Sequence, residues 1–249
     1  MGIIGGMLGY RILKRVSPSG AATQCDESAY AGGSKLSSLL GESFLEEIRN
    51  RVVIDFGCGL GAQAIEMAQR GAKKVIGIDV QEQFVEAARK RAVATGVADV
   101  CSFTIDCTER ADVIVAIDSF EHFADPAAVL QTMRALVNPG GCIFVSFGPT
   151  WYHPLGGHLF SVFPWAHLLF TERALLRWRA DFKHDEATTF QEVDGGLNQM
   201  TIRRFERLVA ESDFTFQSFE TIPIRGLRML SNRLTREFTT AIVRCKLVI

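Results

Sequence analysis

Residues 52–61, VVIDFGCGLG, constrain this chain more than any other stretch. The apolar run Val52–Phe56 ends in Gly57-Cys58-Gly59-Leu60-Gly61 and leads straight into a helical pattern, Ala62–Arg70. Strand, glycine turn and helix in that order make a nucleotide-binding device. The glycines let the backbone approach a ligand, and the helix start offers unpaired N–H groups. Such a unit needs a sheet around it. Val75–Asp79 reads as a second short strand, Cys101–Ile105 as a third, Asp112–Ile117 as a fourth and Cys142–Phe147 as a fifth. Gln81–Thr95 and Pro126–Leu136 read as helices, and Asn138-Pro139-Gly140-Gly141 as the turn before the fifth strand. Strands alternating with helices require crossovers. The expected fold is therefore α/β, a Rossmann-like doubly wound sheet, mainly parallel and covered on both faces.

Upstream, Lys35–Asn50 repeats Leu36, Leu39, Leu40, Phe44, Leu45 and Ile48 at helical spacing. Downstream, Thr201–Ser212 reads as a helix, and Phe214–Ile222 and Phe238–Ile249 as closing strands that bring an antiparallel element into the sheet. Between them the rhythm breaks. Residues 149–200 hold all three Trp and four of the five His, and are expected as an aromatic, lid-like insertion over the active site. One domain over 35–249 is expected, preceded by an N-terminal leader or docking segment, 1–34.

At 249 residues, 47% hydrophobic and 22% charged, the chain is ordinary enough to exclude a disordered or low-complexity protein. Its net charge of −1 supplies no global field for nucleic acid, so none is expected as a partner. Six scattered cysteines without a paired motif argue against a zinc ribbon or disulfide frame and for a cytoplasmic location. No stretch reaches the roughly 18–20 apolar residues of a membrane span. In MGIIGGMLGYRILKR the basic residues follow the apolar run, the reverse of a signal peptide.

The loop also satisfies GxGxxA through Gly57, Gly59 and Ala62, with Asp79 twenty residues beyond Gly59, so it does not by itself exclude a dinucleotide. Asp55 discriminates. A carboxylate two residues before the first glycine faces a pyrophosphate unfavourably. It suits a ligand bearing an ammonium and a sulfonium, S-adenosylmethionine. The bland alternative is a cap on the following turn.

Taken together, VVIDFGCGLG (52–61), VIGIDV (75–80), the Asp106-Cys107 pair, DVIVAIDSFEHF (112–123) and LVNPGGCIFVSF (136–147) resemble the class I S-adenosylmethionine-dependent methyltransferases, in their ubiquinone/menaquinone-type, small-molecule branch. The resemblance implies roles. Asp55 and the backbone of Phe56, Gly57 and Gly59 would hold the methionine part. Asp79 would accept from the ribose hydroxyls, Asp106 would meet the adenine amino group with Cys107 contributing backbone, and Asp118 would line the methionine end.

In methyl transfer the cofactor carries the activation and the protein supplies alignment. A general base helps only when the acceptor is a hydroxyl or protonated amine, and histidine is the natural choice. His122, His153 and His158 are the candidates. No metal is expected, since the spacing of the histidines of WYHPLGGH and the lack of an acid beside them argue against one, although Glu121 and His122 could help to form a site. The aromatic insertion suggests an apolar or aromatic small-molecule acceptor, methylated at oxygen, with Gly156-Gly157 as a hinge; its side chains could equally be core. Asn198 and Gln199 are placed to touch the acceptor. Residues 221–236 hold Arg225, Arg228, Arg233 and Arg236 with no acid, a solvated basic face or a contact for an acidic membrane surface. An NPPY-type signature for amino groups on bases is absent, Asp118-Ser119-Phe120-Glu121 standing there. The rivals are an NAD-dependent oxidoreductase, a non-catalytic cofactor-binding module, and a methyltransferase of RNA or protein.

Overall fold

A computed structural model describes residues 2–18, 20, 34–193 and 195–249; most of the stretch read as a leader or loop at 17–34, Cys25 included, lies outside the described residues. Seven strands build one sheet: β1 (Val52–Phe56), β2 (Lys74–Ile78), β3 (Cys101–Thr104), β4 (Ala111–Ile117), β5 (Val137–Phe147), β6 (Thr215–Pro223) and β7 (Thr240–Val248). Their spatial order is β3-β2-β1-β4-β5-β7-β6. β1 to β5 pair in parallel, and β7 runs antiparallel to both β5 and β6. The doubly wound sheet expected from the alternating pattern is thus present. Strand order reverses between β1 and β4, which opens a crevice at their C-terminal ends where such sheets take ligands.

Both faces are apolar because successive side chains alternate. Val53, Val75, Val113 and Val115 join one core layer, whereas Ile54, Ile76, Ile114 and Ala116 join the other. The first layer is covered by α2 (Lys35–Leu40), α3 (Glu42–Glu47), α4 (Ala62–Gln69) and α5 (Glu82–Ala94). The second is covered by α6 (Pro126–Leu136) and by α9 (Ile202–Ala210). The helical pattern over 35–50 gives two helices instead of one, since Gly41 stands at φ 84°, outside helical space.

The Asn138–Gly141 turn is absorbed into β5 as a bulge, with Ala111 opposite Val137 and then Val113 opposite Cys142. Asp112 secures it by accepting from the Asn138 amide at 2.9 Å and the Val52 N–H at 3.0 Å. Those two bonds, Asn138's first, hold the Asp112 carboxyl below the usual carboxylate range.

The insertion carries α7 (Ala166–Leu169) and α8 (Glu172–Arg179) and owns a third core of Trp151, Phe160, Phe170, Trp178 and Phe190. Most of its aromatic side chains are therefore interior. The glycine pair expected as a hinge is closely packed: a Cβ on Gly156 would stand 2.3 Å from the Thr150 carbonyl, and one on Gly157 2.4 Å from His167. Helix α1 (Gly6–Val16) completes this core through fully buried Leu13. Trp178 donates its indole N–H to the Ser17 carbonyl at 2.8 Å, and Tyr10 donates to Asp181 at 2.9 Å. Truncating Leu13 to Ala should cost about 2–5 kcal/mol. Hydrogen exchange should quicken in α1 and α8 while β1 and β4 stay protected; unchanged exchange in α8 would show that the two helices do not support one another.

Candidate active site

The site begins with the constraint that a strand end, a turn and a helix start share one spot. Gly57, Gly59 and Gly61 all adopt positive φ, at 81°, 50° and 75°. A Cβ on Gly57 would lie 2.8 Å from Ser119, so the turn is pressed against the β4 loop, whereas one on Gly59 would enter open space. Gly59 is the face left for a ligand. Asp79, half-exposed after β2, accepts from the Gly59 N–H at 2.9 Å with one oxygen and from the Gln81 N–H at 2.9 Å with the other. It therefore fixes the loop as well as facing the crevice.

Asp55 lies beneath that loop, 3% exposed. One carboxyl oxygen accepts from the Ala64 N–H inside the first turn of α4, and Oδ2 has no partner. Burial pushes the group up to about 7 despite the Ala64 bond. Capping is real here but answers half of the carboxyl. A buried acid in this state invites a cation.

Asp118 follows β4 at φ 49°, a left-handed conformation that is strained for a residue other than glycine. Its N–H donates to the Ser146 carbonyl at 2.8 Å, and its carboxylate meets Lys35 of α2 at 2.6 Å. Lys35 also pulls the Asp55 and Glu121 carboxyls electrostatically toward the ionised form, so one lysine balances three carboxyl groups. Sequence reasoning missed Lys35, because nothing in a helix start announces which loop it will cover. Asp106 is exposed, with its main chain tied to Thr104, and Cys107 is half-buried beside it. Phe56 packs edge-on against Phe123, at 5.8 Å between ring centroids.

Glu121 is buried and accepts from the Gly148 N–H at 3.2 Å, while its other oxygen has no partner. Burial, with Asp118 beside it, pushes the Glu121 carboxyl up to about 8. His122 points Nδ1 at the Gly196 carbonyl at 2.8 Å. A carbonyl only accepts, so Nδ1 carries a proton and donates it, and Nε2 is the nitrogen turned away from that bond. His158, at φ 52°, does the same with the Gly156 carbonyl at 3.1 Å. The two rings stand edge to face, 5.2 Å between centroids.

Two of the three expected histidines thus converge, joined by Glu121. Ligand atoms of Glu121, His122 and His158 lie within 4.8 Å of one another, the single such trio among the described residues. Imidazole nitrogens and a carboxyl are also donors that a divalent ion accepts. His153 is elsewhere engaged: its Nδ1 accepts from the Leu155 N–H at 2.9 Å, shaping a turn. Burial pushes both His153 and His158 down to about 4, so both are neutral at pH 7.

The side-chain oxygen of Asn198 has no partner, while its amide nitrogen is fully engaged. Buried, the residue donates its amide to the carbonyls of Phe120 and Phe123, at 2.7 and 2.8 Å, and its N–H to that of Glu121 at 2.9 Å. It clamps the insertion onto the loop that carries His122.

A family model described as a methyltransferase domain matches residues 30–218. The chain belongs to this methyltransferase family. It is 40% identical over 107 residues to a ubiquinone biosynthesis O-methyltransferase of Neisseria meningitidis serogroup C, a match covering 40% of this chain and 45% of that protein. It is 34% identical over 102 residues to the ribosomal protein L11 methyltransferase of Photobacterium profundum, covering 41% of this chain and 35% of that one. The chain thus spans under half the length of these curated relatives. Among solved structures, an S-adenosylmethionine-dependent methyltransferase from Mesorhizobium loti superposes with a TM-score of 0.56 at 17% identity, covering 88% of this chain and 99% of that one. A Listeria monocytogenes protein described in similar terms gives 0.53 at 16% identity, covering 82% and 95%. The fold is that of the class I methyltransferases.

S-adenosylmethionine is the cofactor of the class, and the methyltransferase's own residues fit it. The unanswered oxygen of Asp55 suits the methionine ammonium, and the open face of Gly59 leaves room for the ligand where a side chain would fill it. The proton held by buried Glu121 gives a check on the site's electrostatics. Its ordinary value of 4.5 applies to the unfolded chain and about 8 to the folded one, so folding keeps it protonated. The stability of the protonated state is fully present below 4.5 and is lost as pH rises through about 8. Measured by thermal melts, wild type should lose several degrees relative to Glu121→Gln between those limits, and a constant difference would contradict a buried neutral Glu121.

Proposed function

We propose that this methyltransferase moves the methyl group of S-adenosylmethionine onto an oxygen of a small apolar or aromatic acceptor. One observation carries the reading: His122, in the loop that follows β4, donates from Nδ1 to the Gly196 carbonyl, which fixes the ring with Nε2 as the nitrogen left to face an acceptor. That is the nitrogen a base uses to take the proton of a hydroxyl, leaving the oxygen as nucleophile. The O-methyltransferase activity for which the 40%-identical relative is named supports the same atom.

When bound, the cofactor supplies an activated methyl on a sulfonium, with a neutral sulfur as leaving group. The chain's part is to bind, orient and exclude water. Asp55 takes the ammonium on its unanswered oxygen, and Asp79 accepts from the ribose hydroxyls while holding Gly59. The backbone of Phe56 and Gly57 lines the methionine end, with Asp118 anchored there by Lys35. Asp106 and Cys107 flank the adenine. His158 shields the far side of His122 as a neutral ring and keeps its own lone pair for the acceptor hydroxyl. The insertion, fixed through Asn198 and the Gly196 carbonyl, closes over the reacting atoms and keeps bulk water away. Acylated or prenylated phenols are acceptors of the required chemistry.

Likeness to a ribosomal-protein methyltransferase favours a protein acceptor as the second reading. It requires salt-sensitive binding of a polymer and activity on an amine.

Two measurements test the proposal. In calorimetric titration, S-adenosylhomocysteine should bind and NAD should not, and Asp79→Ala should weaken the former about tenfold or more. With a panel of phenols as acceptors, His122→Gln should slow turnover about 10²–10⁴-fold while leaving S-adenosylhomocysteine affinity nearly unchanged. Turnover unaffected by that substitution, or methylation confined to protein amines, would contradict oxygen transfer through His122.

A further inference from the structure

The segment joining β6 to β7, residues 224–239, is built inside out. In a soluble connection polar side chains face water and apolar ones turn in. Here Met229 is 99% exposed and Leu234 83%, with Leu230 and Phe238 exposed as well. The polar side chains bend back onto the backbone and shape the turns. Asn232 accepts from the N–H groups of Leu234 and Thr235 at 2.9 and 3.2 Å, and the Thr235 hydroxyl donates to the Leu230 carbonyl. Buried Glu237 accepts from the N–H groups of Ile202 and Arg203 at the start of α9, at 3.1 and 2.9 Å. The knob is held in shape, and its aliphatic tips have no partner among the described residues.

Cations are interleaved with those tips along the segment. Arg225, Arg228 and Arg233 are exposed, and none has an ion pair within 4.0 Å among the described residues. The neighbouring acids are spent elsewhere: Glu206 pairs with Arg236 at 2.6 Å, Glu220 with Arg244 at 2.6 Å, and Glu237 serves α9. Aliphatic prongs interleaved along the segment with exposed arginines that have no ion pair among the described residues match a surface whose skin is anionic and whose interior is hydrocarbon. A nucleic acid matches less well, since Met229 and Leu234, the two apolar side chains of the segment that stand furthest into solvent, are aliphatic and give bases no plane to stack on.

The knob also has the right address. β5 and β6 both run antiparallel to β7, so they point the same way, and the β6–β7 connection leaves the sheet at the edge where β1 and β4 end. The ligand crevice opens at that edge. Phe238 touches Tyr152 of the insertion, 5.2 Å between ring centroids, and exposed Trp165 donates its indole N–H to the Tyr152 carbonyl at 2.9 Å. The apolar surface therefore continues from the knob onto the insertion that borders His122.

We propose that residues 224–239 dock this protein onto an anionic phospholipid bilayer, with Met229, Leu230 and Leu234 entering the acyl region and Arg225, Arg228 and Arg233 pairing with headgroup phosphates. Docking in this pose turns the crevice edge toward the bilayer, so an apolar acceptor reaches the site without crossing water. That last link rests on the acceptor reading above; the docking itself does not, and vesicle binding is measured without any turnover.

The test is co-sedimentation of the full chain with phosphatidylcholine vesicles and with phosphatidylglycerol-rich vesicles. Wild type should bind the anionic vesicles, bind phosphatidylcholine weakly, and dissociate as salt is raised. Removing the three arginines together, as R225Q/R228Q/R233Q, should weaken partitioning about a hundredfold. M229D/L234D should abolish it while the melting temperature and S-adenosylhomocysteine binding stay as in wild type, because both side chains are solvent-exposed. Failure of wild type to bind anionic vesicles would overturn the proposal, as would equal binding by both variants. Self-association lost in M229D/L234D without vesicle binding, or retention on single-stranded RNA alone, would assign the surface to a second copy or to a polymer and overturn it too.

Discussion

A carboxyl group buried to 3% exposure, with one oxygen bonded to a helix start and the other bonded to nothing, is the constraint around which this protein is arranged. Leaving a polar atom in that state costs about 1–3 kcal/mol, which a fold tolerates where a ligand later answers it. Asp55 is there because β1 must end under the glycine turn. The turn is there because Gly57 leans on Ser119 and because Asp79 holds the Gly59 N–H. Each part positions the next, from strand register to loop to crevice.

The second carboxyl of this kind, Glu121, extends the same logic to the reacting end. It shares Lys35 with Asp55 and Asp118, so a single cation from α2 keeps three acids in one small volume. The insertion then supplies the counterparts. The Gly196 carbonyl orients the His122 ring, Asn198 clamps the loop, and His158 meets His122 across the gap. These contacts come from one segment without regular strands, held rigid by its own aromatic core and by α1.

The sheet was legible in the sequence because short β-branched runs between helical periods have few other ways to bury both faces. Its strand boundaries agree to within a residue or two, except where the Asn138–Gly141 turn is drawn into β5 by Asp112. The placement of Asp55 at the end of β1, of Gly57 and Gly59 in the turn after it and of Asp79 just past β2 was legible for the same reason, since it follows from where the strands end. The insertion was not. Its aromatic side chains read equally as lid or as core, and the structure makes most of them core. Gly156 and Gly157 read as a hinge and prove to be close-packing points. Asn198 read as an acceptor contact, and its amide N–H groups clamp the insertion to the loop that carries His122, a contact the sequence does not show. Lys35 and the meeting of Glu121 with His158 are contacts between distant segments, and no local pattern encodes them. The backbone-bound polar groups of 224–239 were hidden likewise: sequence shows the arginines, but only the fold shows which residues between them face out.

The central claim is that Asp55 awaits the ammonium of the methionine part. Its titration, followed by carbon-13 NMR of labelled aspartate, reports this directly. The free protein should titrate near 7, and S-adenosylhomocysteine should draw the group down into the ordinary carboxylate range as the ammonium takes up Oδ2. An Asp55 that titrates unchanged in the complex would contradict the account, for the carboxyl would then have no part in holding the cofactor.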